Sequence, residues 1–154
     1  MYSSQPQTIQ EKITEYESFV NDKLKIDLKT TLDLRDEVYE QLSEYLKLKR
    51  QIQLIQENSL HKMKTMVDLG SNFYVHAKIP DTSYIYVNVG FGFHVQFTLD
   101  EAIEFINKKE KLLERKADQY SKTAAKINAH IAMVLEAINE ILSLKDDKDK
   151  NTNT

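Results

Sequence analysis

Cysteine is absent from the 154 residues. That excludes disulfides, thiolate nucleophiles and thiolate zinc sites together. Tryptophan is also absent, and three glycines and two prolines leave few breaks for regular structure. Positive charge is not in excess, with 21 Lys and Arg against 24 Asp and Glu for a formal net charge of −3. A chain without a strongly basic region is not expected to grip nucleic acid directly. No uninterrupted apolar run approaches the ~20 residues that span a bilayer, so no membrane segment is expected. Met1 to Thr8 lacks the basic-then-apolar pattern of a signal peptide, and no Asn-x-Ser/Thr sequon occurs. The expectation is a soluble intracellular protein.

A heptad stripe fills the last third of the chain. Leu99, Ile103, Ile106, Glu110, Leu113, Ala117, Tyr120, Ala124, Ile127, Ile131, Val134, Ile138 and Ile141 follow in alternating steps of four and three. Glu110 is its only charged member. Such a stripe keeps one narrow seam against one partner helix, as a coiled coil requires. A second helical pattern is expected over about 8–65, opening on Thr8 and Glu11 at capping-box spacing. Ile9, Ile13, Tyr16 and Val20 keep the rhythm, Leu24 and Leu28 drift from it, and Val38, Leu42, Tyr45, Ile52 and Ile55 resume it with Lys49 in the seam. Lys62 and Lys64 near its end suit the negative end of the helix dipole. The two helices are expected to pair antiparallel within one chain, and helices of some fifty residues, about 75 Å long, imply an elongated molecule.

Between the helices the period changes to two. Phe73, Val75, Ala77 and Ile79 alternate with Tyr74, His76 and Lys78, and Ile85, Val87 and Val89 alternate with Tyr84, Tyr86 and Asn88. Pro80 to Ser83 supplies turn residues, Gly90-Phe91-Gly92 breaks the second run, and Phe93, Val95 and Phe97 continue it. With Val67 to Leu69 in front, a cassette over about 67–98 reads as two hairpins. Thr98 and Glu101 then repeat the capping-box spacing before a helix over about 99–144, followed by a polar, frayed tail at 146–154. The fold class is α+β and mainly α, in a single domain: a long antiparallel coiled coil with two β-hairpins between its helices.

Two isolated hairpins are marginal in water, and apolar strand edges invite another chain. The cassette therefore reads as an assembly interface carried by Phe73, Val75, Ile85, Val87, Val89, Phe93, Val95 and Phe97. A second candidate surface lies where the two helices end. Met133, Leu135, Leu142 and Leu144 exceed what a two-helix seam uses, and flexible Met and Leu suit adaptable contacts. With Ile9, Ile13 and Tyr16, expected to project past the second helix, they form a tip for clients or partners. The alternative is that Phe19, Leu24 and their neighbours cover the surplus residues.

Catalytic patterns are missing. Gly90-Phe91-Gly92 lacks the third glycine and the following helix of a nucleotide loop, and reads as a hairpin turn. His61, His76, His94 and His130 show no metal-ligand spacing. The serines form no nucleophile elbow, and the acidic residues alternate with lysines on solvated helix faces. Neither an enzyme activity, a cofactor nor a metal is expected.

The layout and several motifs resemble the α class of the prefoldin family. Val67-Asp68-Leu69-Gly70 with Phe73-Tyr74-Val75 resembles the first-hairpin motif, and Val89 to Val95 the second, followed by Leu99-Asp100-Glu101-Ala102. Further segments, among them Tyr16 to Val20, Arg35 to Leu42, Pro80 to Val87 and Lys126 to Ile131, resemble one branch of that family. The resemblance implies a subunit of a prefoldin-like hetero-oligomer, with other prefoldin-type subunits as partners, a hairpin-built base, and coiled coils that hold unfolded or regulatory clients without ATP. For the branch it further implies a cofactor of transcription in nucleus and cytoplasm. A nuclear scaffold that acts without chaperoning is the alternative.

Overall fold

The computed structural model describes residues 8–151, with side chains described through Leu144. Its elements are helix α1 (Ile9–Ser18), a π-helical segment (Phe19–Leu24), α2 (Lys25–Glu57), strands β1 (Met63–Asp68), β2 (Tyr74–Ile79), β3 (Tyr84–Gly90) and β4 (Phe93–Thr98), and α3 (Leu99–Asn151). The protein is thus mainly helical, with two antiparallel two-stranded sheets, β1-β2 and β3-β4, between the helices. The chain divides into two compact units, the first of the segments up to Glu37 and from Lys116, the second of Val38–Arg115.

Three boundaries differ from the sequence expectation, one of them the cassette, whose first strand begins at Met63 where about 67 was expected. The first helix stops at Glu57, well short of 65, because Ser59 takes a left-handed φ of 50°. The Leu60 amide donates to the Ile55 carbonyl (3.0 Å) and the Ser59 amide to that of Gln56 (3.1 Å), which is the Schellman closure. The Asn58 side chain satisfies the Leu54 carbonyl at 2.8 Å. Glycine usually fills the left-handed position, so a stop built from Asn and Ser was not visible as one. Lys62 and Lys64 accordingly lie beyond the helix, Lys64 in β1, and do not serve the dipole. The last helix continues through Asn151, so 146–151 are helical where a frayed tail was expected; 152–154 lie outside the described residues.

Both capping boxes form. The Glu11 carboxylate accepts from the Thr8 amide at 2.9 Å, and Glu101 from the Thr98 amide at 2.9 Å. Those bonds hold the Glu101 carboxyl below its ordinary value of 4.5. A carboxylate with a lowered folded value adds stability above its unfolded value and loses it as pH falls through the folded one. The start of α3 should therefore loosen in acid below about pH 4.5, and Glu101→Gln should remove that pH dependence in amide exchange of residues 99–102.

In the first unit, Ile13, Val20 and Leu24 are buried on one side and Ala117, Ala124 and Ile138 on the other. A step of seven from Ile13 to Val20 fits the heptad, whereas Val20 to Leu24 spans four where three is due before α2. The π-helical segment over these residues takes up the extra residue. This is the physical origin of the drift at Leu24 and Leu28. Along α3, every member of the heptad stripe from Leu99 to Ile141 is buried or half-buried.

In the second unit, α2 and α3 run antiparallel. Gln56 bonds Asp100 at 2.7 Å and Lys49 bonds Glu110 at 3.0 Å, so moving back along α2 moves forward along α3. The core comprises Ile52, Val87, Ala102 and Ile106, with Tyr45, Leu48, Ile85, Phe97, Leu99, Ile103 and Phe105 packed around them.

Candidate functional site

The second hairpin is built onto the helix pair. Strand register places Ile85 opposite Phe97 and Val87 opposite Val95, all on one face. Phe97 stacks on Phe105 of α3 with centroids 5.3 Å apart, and Tyr45 of α2 meets Phe105 edge-on at 6.3 Å. The Tyr45 hydroxyl donates to the Asn88 carbonyl at 3.1 Å. Burial, aided by neighbouring Glu44, raises that phenol above its ordinary value of 10.0. The clamp was missed in the sequence, where Tyr45 read only as a seam residue and Phe105 lay off the stripe.

Val87 consequently is not a free interface residue. It is 1% exposed, enclosed with Ile52, Ala102 and Ile106. Ile85, Val89 and Phe97 are half-buried, so the expected assembly set is partly core of its own chain. The remaining members, Phe73, Val75, Phe93 and Val95, are exposed. Alternation identified the apolar face correctly but not which hairpin the helices would cover.

The first hairpin has no such cover. Met63, Thr65 and Val67 lie opposite Ile79, Ala77 and Val75 on one face, and no residue from Met63 to Ile79 is buried. Phe73 is 66% exposed, and Val67, Leu69 and Val75 are exposed beside it. Each sheet has two strands, so every strand is an edge. The turn is tight: Ser71 and Asn72 follow Gly70 with φ of 53° and 61°, and the Leu69 amide reaches the Phe73 carbonyl at 2.8 Å. The linker to the second hairpin is pinned by Asp81, which accepts from the Ser83 hydroxyl (2.6 Å) and amide (2.9 Å), and by the Thr82 hydroxyl, which donates to the Leu60 carbonyl.

Gly90-Phe91-Gly92 forms the expected hairpin turn. Phe91 and Gly92 both have positive φ, 53° and 78°, the geometry of a two-residue loop matched to strand twist. A phenylalanine at that position is strained, and its side chain is fully exposed. Nothing in the alternation pattern singled it out.

Of the expected tip residues, Ile9, Tyr16, Met133, Leu135, Leu142 and Leu144 are exposed. Ile13 is 4% exposed and so is buried and no part of an exposed tip. Of the residues expected to cover the surplus as the alternative, Phe19 is exposed and Leu24 is buried. Within Leu99–Leu144 one 18-residue window reaches a mean hydropathy of 1.3, so by length and composition alone this helix could cross a membrane. Among the described residues no group of His, Asp and Glu is arranged to hold a metal ion.

Comparison with known proteins agrees with the architecture. The prefoldin subunit family matches residues 24–143. Protein UXT of Rattus norvegicus is 45% identical over 139 residues, covering 90% of this chain and 88% of that protein. A Protein UXT homolog of Dictyostelium discoideum is 42% identical over 135 residues, covering 88% and 84%. Prefoldin subunit alpha of Methanococcoides burtonii is 32% identical over 76 residues, covering 49% of this chain and 55% of that one. With helices flanking two hairpins and this match over most of its length, the chain belongs to the prefoldin family.

Proposed function

We propose that the chain is a non-enzymatic subunit of a prefoldin-like hetero-oligomer, joined to other prefoldin-type subunits through its hairpins. The observation that carries this is the uncovered apolar face of the first hairpin. Phe73, Val67 and Val75 stand exposed on a two-stranded sheet with both edges open. Such a sheet is marginal alone and is completed by strands from another chain. The exposed apolar residues near the helix ends, Met133, Leu135, Leu142 and Leu144 with Ile9 and Tyr16, support a second role in holding client proteins. Each large apolar side chain offers about 1.5–3 kcal/mol on burial, so several give capture that tolerates many sequences.

The test is a Phe73→Lys/Val75→Lys variant, tagged and expressed in the source cell. Losing two apolar contacts of about 1.5–3 kcal/mol each should lower recovery of the other subunits more than tenfold. Helical circular dichroism should stay intact, because neither residue touches the helical core. Undiminished recovery would overturn the assembly reading.

A further inference from the structure

The reverse face of the first hairpin is cationic at the end away from its turn, and its one carboxylate, Asp68, sits at the turn end. Strand register sets Lys64 directly opposite Lys78, with His76 the next residue on that face of β2 and Lys62 just before β1 at the same parity. Like charges directly opposed across a strand pair repel. All four side chains are exposed. No described ion pair engages Lys62, Lys64 or Lys78. Neither nearby carboxylate pairs with these lysines: Asp68, at the turn end of the same face, accepts from the Gly70 amide at 2.8 Å, and Asp81 from Ser83 at 2.6 and 2.9 Å. The surface is also not flat. Depressions of about 330 and 400 Å³ open along it, one lined by Lys62, Lys64 and Lys78, the other by Lys64, His76 and Lys78.

We propose that this face of the first hairpin is a docking surface for an acidic segment of a partner protein, gripped by the opposed Lys64 and Lys78 with Lys62 and His76 beside them. The inference rests on the assembly reading of the hairpin and adds what selects the partner. A strand whose residues alternate apolar and acidic would satisfy both faces of the hairpin at once, apolar toward Val67 and Val75, acidic toward the lysines. A phosphate backbone would match only the charged face, and the chain as a whole is negative at −3. Charge complementarity of this kind chooses partners and speeds their encounter, because a like-charged strand is rejected.

Two experiments test it. In the source cell, Lys64→Glu/Lys78→Glu should lower recovery of the other subunits about tenfold, whereas Lys64→Arg/Lys78→Arg should leave it unchanged. If Phe73→Lys/Val75→Lys releases subunits but the charge reversal does not, the lysines serve only to guard an edge; the proposal falls and the assembly reading stands. If neither releases them, both fall. In vitro, the full chain is titrated with a labelled peptide of about six Glu-Thr repeats, a matching Lys-Thr peptide and a single-stranded oligonucleotide. The expected result is that the Glu-Thr peptide binds the wild type, weakens with added salt, and loses to the Lys-Thr peptide in the Glu variant. Equal binding of the Glu-Thr peptide to wild type and variant would overturn the proposal. So would tighter, lysine-dependent binding of the oligonucleotide, which would assign the face to nucleic acid.

Discussion

Val87→Lys is expected to unfold the second hairpin, with a loss of about 3–5 kcal/mol, because it places an ammonium in the apolar cluster beneath the hairpin. Val87 is 1% exposed against Ile52, Ala102 and Ile106, and no polar side chain belongs to that cluster. Val95, its cross-strand partner, has the same chemistry and strand parity yet is exposed, so Val95→Lys should cost under about 1 kcal/mol. Urea titration of the full chain, followed by near-ultraviolet circular dichroism of the tyrosines, separates the two. A shared midpoint for both variants would mean that the helices do not cover this hairpin.

The second large effect lies in the helix seam. Lys49 and Glu110 meet at 3.0 Å with side chains 25% and 26% exposed, shielded enough for pairing to matter. Removing one partner, as in Lys49→Met or Glu110→Leu, should cost about 1–3 kcal/mol, between an exposed pair and a fully buried one. The exchanged pair, Lys49→Glu with Glu110→Lys, should recover most of the loss. The doubly apolar variant, Lys49→Leu with Glu110→Leu, should be as stable as the wild type but less particular about register, since a single polar layer fixes how two helices align. A double-mutant cycle in thermal unfolding gives the coupling, and additive single losses would show that the pair does not interact.

These two sites mark what could and could not be read from the sequence. The heptad stripe from Leu99 to Ile141 was fully legible, because burial on a long helix follows spacing alone. Lys49 and Glu110 were each visible as a charge inside a seam, but their meeting depends on register between segments separated by 61 positions. The strand faces were legible from alternation. The docking of the second hairpin was not, since it turns on Tyr45 and Phe105, two aromatics on helices whose sequence carries no sign of a sheet nearby. The early stop of α2 was hidden for a local reason, a left-handed serine where glycine is customary. The continuation of α3 to Asn151 was hidden because the composition after Leu144 is polar.

The division of labour between the hairpins follows from those contacts. The second is fixed to the helix pair by its own core, leaving Phe93, Val95 and a strained, fully exposed Phe91 toward solvent. The first has no buried residue on either face, one face being apolar and the other bearing Lys64, His76 and Lys78 with Asp68 at its turn end. On the proposed assembly, the first hairpin is the place where another chain completes this one.

Native mass spectrometry of the complex purified from the source cell tests that claim most directly. The account predicts this chain in a hetero-oligomer with other prefoldin-type subunits, from which Phe73→Lys/Val75→Lys releases it as a folded single chain. Recovery of the wild-type chain alone, or only with copies of itself, would contradict it.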